Sequence, residues 1–461
     1  MKRVLMLMLC SAAVNAFAQK GPAPFKAGDR VTFVGNSITE NGFYELYIWQ
    51  YYQLHFPKQK LLVMNKGIGG DVAGQILARL DEDVLKANPT AVVLTFGMND
   101  SRYFEYFNTP EDKVRKEAVD TSYKNYLGIE QKLKNVPAVS KIIMTSSPYD
   151  ETVTGPKMNF HGKYKTMELI AAFQKEAAIK NNWSFVDLMH PMTAIDQEQQ
   201  KADTNFTLTG PDRIHPGNAG HFAMAWLFLK AQGLANTVVA NVSVDAAKGK
   251  SVKVENCTLS AIKKESDGIS FDYLANSLPF PSDTVSRTWE NPQKQADALK
   301  VIPFTKEFNQ ELLSVKNLTA SSKYSVLIDN EKIGEWPGSD LANGINLAEI
   351  SNTPQYKQAQ QVADLNLQHR ELEQKVRAYY WLQFDYFSQK GMMYQDDQAA
   401  MDSVLVETPK NWAVASKKDN YVEGRKKEVR ERWQKEMDAI VDKIYTINQP
   451  VKRRIKIEKV K

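Results

Sequence analysis

Five short apolar runs, each closed by a polar or glycine-rich segment, dominate residues 25–235 and restrict the fold more than any other feature of the chain. They are "RVTFVGN" (30–36), "LLVMNKG" (61–67), "AVVLTFG" (91–97), "KIIMTSS" (141–147) and "WSFVDL" (183–188). Each is rich in Val, Ile, Leu and Phe and reads as a strand buried on both faces. The stretches between them have helical periodicity. In "DVAGQILARLDEDVLKANP", Ile76, Leu80 and Val84 share one face, with Leu77 and Leu85 beside it. Pro89 closes that helix, because it lacks the N–H a further turn would need. Strand–helix alternation of this kind predicts an α/β fold with a parallel sheet covered on both sides. Such sheets bind ligands at the carboxyl ends of their strands. Residues 35–37, 65–70, 97–100 and 146–147 should therefore converge on one rim.

After about residue 236 the pattern changes. Residues 236–345 alternate apolar and polar positions, as half-exposed antiparallel strands do, and "DGISF" and "DNEKIG" carry turn signals. A β-rich accessory domain is expected there. Residues 350–461 turn helical, and the apolar positions suggest a long antiparallel helical pair with charge runs as its solvated face. This region holds one histidine, His369, and no catalytic set, so it is expected to brace or cap the first domain.

The first residues belong to none of these units. "MKR" is a basic leader, "VLMLMLCSAAVNAF" is apolar, and Ala16-Phe17-Ala18 is an A-x-A cleavage site. Residues 1–18 read as a signal peptide, which predicts export to the periplasm or the medium. Leu9 is not the small residue a lipoprotein signal would place before Cys10. No later stretch has the roughly 18 apolar residues in a row that a membrane span needs. Beyond residue 18 the single Cys257 precludes an internal disulfide. Much of the net charge of +5 sits at the ends: the leader carries Lys2 and Arg3, and the tail "VKRRIKIEKVK" is basic. The rest is nearly balanced, which argues against nucleic acid as a partner and leaves the tail as a solvated terminal strand.

The stretch "FVGNSIT" (33–39) puts Ser37 at the end of a strand, where it is either a turn residue or a nucleophile. A nucleophilic serine needs a base and an acid that orients the base. His215 and Asp212, in "GPDRIHPGNAGH", have a spacing that lets the carboxylate fold back onto the imidazole. Asp212, His215 and His221 could instead hold a metal, but no further ligand stands at a usual spacing, so no metal is expected. Donors for an oxyanion are offered by the Ser37 backbone N–H, by Gly70 in "NKGIGGD" and by the Asn99 side chain in "FGMND". Gly70 as a turn residue and Asn99 as a helix cap are the plainer alternatives.

Taken in order, "GNSIT", "GIGGD", "GMND" and "DRIHP" resemble the four blocks of the SGNH (GDSL-type) hydrolases over roughly residues 28–232. The resemblance implies a flavodoxin-like three-layer α/β/α sandwich. It also implies Ser37 as nucleophile, His215 as base, Asp212 as the orienting acid, and Gly70 and Asn99 joining the Ser37 amide in an oxyanion hole. The family usually has Asp where this chain has Asn36, which implies altered local electrostatics. No G-x-S-x-G surrounds any serine, which argues against the α/β-hydrolase elbow. The implied reaction is ester hydrolysis through an acyl-enzyme without metal or organic cofactor, with removal of acetyl groups from carbohydrate as the leading substrate class. A lipid or short-chain acyl esterase and a non-catalytic glycan binder are the alternatives. Tyr44, Tyr47, Trp49 and Tyr103 with Phe104, Tyr106 and Phe107 are candidate sugar platforms or core, and Arg102 could bind an acidic sugar.

Overall fold

A computed structural model describes residues 20–155, 158–288 and 291–461. The proposed signal peptide and Cys10 lie outside the described residues.

The α/β part runs β1 (Arg30–Gly35), α1 (Ser37–Glu40), α2 (Tyr44–His55), β2 (Leu62–Gly67), α3 (Ala73–Arg79), β3 (Ala91–Phe96), α4 (Glu105–Asn108), α5 (Glu111–Lys134), β4 (Ser140–Thr145), α6 (Lys163–Lys180), β5 (Ser184–Val186), α7 (Met189–Gln200) and α8 (Asn218–Ala231). The five expected runs form one parallel sheet in the order β2-β1-β3-β4-β5. Because side chains alternate along a strand, β1, β3, β4 and β5 each feed two cores. Val31, Phe33, Val93 and Met144 pack with α2 and α8, whereas Val34, Val92, Leu94 and Ile143 pack with α3, α5 and α6. The result is the expected three-layer sandwich.

The β-rich part holds β6 (Ala240–Asp245), β7 (Lys250–Glu255), β8 (Cys257–Glu265), β9 (Gly268–Ala275), α9 (Phe304–Phe308), β10 (Glu311–Lys316), β11 (Lys323–Ile328), β12 (Glu331–Pro337), α10 (Gly338–Asn343) and β13 (Ile345–Asn346). Both turn signals mark hairpins; Asp329 and Asn330, with φ of 52° and 68°, join β11 to β12 as Asn and Asp in such turns can. Two features depart from the sequence reading. The β6–β10 pair is parallel, because the chain leaves the sheets between β9 and β10. That excursion packs back on the α/β part, where Phe280 and Phe304 lie 5.4 and 4.5 Å from the ring of Phe222.

The helical part comprises α11 (Pro354–Trp381), α12 (Gln398–Glu407), α13 (Trp412–Gly424) and α14 (Lys427–Ile447), with α11 packed along α14. The chain ends in β14 (Arg453–Lys459), and here the expectation of a solvated tail needs correction. β14 sits inside a sheet, in the order β12-β11-β14-β9-β8. Its alternation turns Ile455 and Ile457 into the core, while Arg454 and Lys452 pair with Asp272 and Arg453 with Asp329.

The helical part is wedged into the α/β part. Ala359, Val362 and Leu365 of α11 join the core under α2. Arg377 of α11 makes two hydrogen bonds to Asp83, at 2.9 and 2.8 Å, and donates to the Gly67 carbonyl at 3.1 Å. Arg79 and Lys66 also reach Asp83, at 2.6 and 3.2 Å. Burial acts to raise the Asp83 carboxyl, but the surrounding cations hold it far below the usual range.

Candidate active site

The carboxyl ends of β1, β2 and β3 supply three adjoining segments, and the loop before α8 supplies a fourth. Ser37 opens α1, with Asn36 as N-cap; the Asn36 side chain accepts from the Ile38 N–H at 3.0 Å. An amide therefore fills, as a neutral acceptor, the capping place a carboxylate could take. The turn after β1 must fit against the loop after β2, and a Cβ on Gly67 would stand 2.1 Å from the Glu40 nitrogen. Only glycine allows that approach.

Ser37 Oγ lies 2.8 Å from His215 Nε2, and His215 Nδ1 lies 2.5 Å from Asp212 Oδ2. The other Asp212 oxygen accepts from the Ile214 and His215 backbone N–H groups at 3.0 and 2.9 Å. Burial raises the Asp212 carboxyl, but these bonds outweigh it and keep the group below its ordinary range. The intervening Arg213 has φ of 67°, a strained conformation for a long side chain, and its guanidinium is tied to the Asp150 carbonyl at 3.0 Å. This left-handed residue turns the segment back on itself, so that the carboxylate and imidazole meet.

Asn99 is not a helix cap in this structure. Its amide donates to the Asp71 carbonyl at 2.9 Å, and its Oδ1 accepts from the Tyr103 hydroxyl at 2.6 Å. One amide N–H thus remains for the cleft. The turn beneath it is gripped by the buried Lys163, which donates to the Met98 carbonyl, the Ser101 hydroxyl and the Arg102 carbonyl and stands 3.7 Å from the Tyr103 ring centroid. Gly70 has φ of 91° and nothing near the position a Cβ would occupy.

Ser37, Gly70, Asn99 and His215 line a cleft of about 870 Å³. The facing wall comes from the helical part: Arg370, Gln374, Trp381, Asp385, Trp412 and Lys417. Sequence reasoning missed these residues, because nothing in the sequence pattern of the long helix distinguishes a cleft wall from a packed face. Arg370 donates to the Asn41 carbonyl at 2.8 Å, and Lys417 reaches Glu40 at 2.5 Å.

The expected substrate contacts fare differently. Tyr44 is only 1% exposed; its hydroxyl bonds Thr39 and its ring stacks on the buried His221, so it is core and not a platform. Tyr47 and Trp49 are buried with it. Arg102 and Tyr103 lie outside the lining of the cleft, and Tyr103 meets the site through Asn99. Among the described residues no group of His, Cys, Asp and Glu could hold a metal ion. No described helix is long and apolar enough to cross a membrane.

The GDSL-like Lipase/Acylhydrolase family matches residues 33–223, and the diltiazem deacetylase C-terminal helical domain matches residues 360–449. The solved structure of a gut microbial diltiazem-metabolizing enzyme is 44% identical, covers 96% of this chain and 100% of its own, and superposes with a TM-score of 0.93. An acetylxylan esterase of Geobacillus stearothermophilus is 26% identical over 223 residues, which are 45% of this chain and 95% of that protein. The chain belongs to the GDSL-like lipase/acylhydrolase family and is an ester-hydrolysing enzyme.

Proposed function

We propose that the protein is an exported acetylesterase that works through Ser37, His215 and Asp212. The observation that carries this reading is the hydrogen-bonded chain from Ser37 Oγ through His215 to Asp212, at 2.8 and 2.5 Å, opening on a cleft that Gly70 and Asn99 also line. His215 takes the Ser37 proton as Ser37 attacks the ester carbonyl, and Asp212 holds the imidazole in the required tautomer. The tetrahedral oxyanion is met by the Ser37 and Gly70 N–H groups and the remaining Asn99 amide N–H. His215 then protonates the departing alcohol, and water, activated by the same imidazole, releases acetate from Ser37.

The acyl group is the better supported half of the substrate. The names of the two relatives, an acetylxylan esterase and a domain of a diltiazem deacetylase, share the acetyl and differ in the alcohol. Acetylated carbohydrate is our first reading for the alcohol. A second, acetylated small molecules such as diltiazem, is favoured by one observation: the helical part walls the cleft, and it matches the deacetylase domain. The test compares kcat/KM on acetylated xylooligosaccharides, on diltiazem and on nitrophenyl esters of lengthening chain. Preference for acetyl over longer chains supports the acyl assignment. A preference for octanoyl esters overturns it, and the better of the two acetylated substrates decides the alcohol. For export, the test is the N-terminus of the protein recovered outside the cytoplasm, which should begin at Gln19.

A further inference from the structure

We infer that Trp381, supplied by α11, is a positioning residue for the oxyanion hole: its indole N–H sets the direction of the Gly70 N–H. The inference rests on the proposed role of Gly70. In a trans peptide the C=O of one residue and the N–H of the next point in opposite directions within one plane. Trp381 Nε1 donates to the Gly69 carbonyl at 2.9 Å, so the N–H on the far side of that plane, that of Gly70, points away from the indole. Two successive glycines leave this peptide free to adopt either orientation, and the indole selects one. The selection also strengthens the donor, since a hydrogen bond on the carbonyl polarises the N–H of the same peptide.

The rest of the loop is held to match. The Gly69 N–H donates to Glu40 Oε2 at 2.5 Å, while Glu40 Oε1 receives Lys417 Nζ of α13 at 2.5 Å. Ile68 is fully buried in the cluster of Tyr379, Leu382 and Tyr421. The Asp71 N–H closes the turn on the Ile68 carbonyl at 3.2 Å. On the opposite bank of the loop, Gln374 donates to the Glu40 carbonyl. The Gly70 N–H itself makes no hydrogen bond among the described residues. The α/β part thus supplies the donor, and the helical part aims it.

The test is Trp381→Phe, which keeps a buried ring and deletes the N–H, assayed beside wild type and Ser37→Ala with nitrophenyl acetate. A misaligned donor should lower kcat by about 10- to 100-fold, short of the roughly 100- to 1000-fold of a deleted one. KM should stay within about twofold, and affinity for a trifluoromethyl ketone, whose adduct on Ser37 places an oxyanion in the hole, should fall with kcat. If the Phe variant does not fold, benzothienylalanine at position 381 substitutes sulfur for the N–H within the same outline and carries the test. Unchanged kcat in either variant overturns the inference. So does a raised KM with kcat intact, which would make the ring a substrate wall only. Full activity in Ser37→Ala overturns the catalytic reading beneath it. An inactive Ser37→Ala beside an undiminished Trp381 variant overturns the Trp381 inference alone.

Discussion

Replacing Asn99 with Asp changes one atom type at the point where the proposed mechanism develops negative charge. Asn99 Nδ2 is fixed by the Asp71 carbonyl at 2.9 Å and Oδ1 by the Tyr103 hydroxyl at 2.6 Å, which leaves one N–H for the oxyanion. Asn99→Asp removes that donor, at about 2.7–4 kcal/mol. A carboxylate there also faces the oxyanion at about 4 Å, which at an effective dielectric near 20 costs a further ~4 kcal/mol. The two together amount to about five to six orders of magnitude in kcat at neutral pH. On acidification the introduced carboxyl takes up a proton and the Coulomb part disappears. The deficit should then shrink toward the roughly 100- to 1000-fold expected of Asn99→Ala. The assay is kcat and KM on nitrophenyl acetate from pH 5 to pH 8 for wild type and both variants. Tyr103→Phe serves as a milder control, since it removes one neutral hydrogen bond worth about 1 kcal/mol and leaves the Asp71 anchor, for a loss of about fivefold. If Asn99→Asp stays within tenfold of wild type at pH 8, the reasoning about Asn99 is refuted.

Arg377→Met removes the two-pronged bond to Asp83 and strands a buried carboxylate among fewer cations; we expect a loss of about 3–5 kcal/mol in urea denaturation, and a cost below 1 kcal/mol would contradict the buried-network account. Asp196 is buried, with Oδ1 accepting from the Leu208 N–H at 2.8 Å, and burial pushes its carboxyl up to about 8. The folded protein then keeps a proton that the unfolded chain releases near pH 4, so this group's stabilisation is full below about pH 4 and is lost as pH rises toward 8. Asp196→Asn should flatten the decline in stability between pH 5 and pH 8 by the order of 2–4 kcal/mol, and an unchanged decline would remove Asp196 as its source.

The parallel sheet was legible because apolar runs alternating with helical stretches dictate it locally. The Ser37, Asp212 and His215 segments were legible only through the order of four short motifs, since a serine after a strand or a carboxylate three residues before a histidine is ambiguous alone. Tyr44 stayed open between platform and core in the sequence because α2 is buried on every side, between α8 and α11. A helix buried all round has no polar face to distinguish core aromatics from rim aromatics. The cleft wall was illegible for a different reason. Trp381 and Arg377 meet their partners about three hundred residues away in sequence, and no local spacing encodes such a contact. The terminal strand was half visible, since the alternation of Ile455 and Ile457 was present but its basic residues suggested solvent.

If Ser37 carries the acyl group, a fluorophosphonate should label it. One adduct per chain is expected, located on Ser37 by peptide mass spectrometry, formed in step with loss of esterase activity and slowed by an acetyl ester substrate. Ser37→Ala should take no label and turn over no substrate above background. Label on another residue with loss of activity, or an active Ser37→Ala, would contradict it.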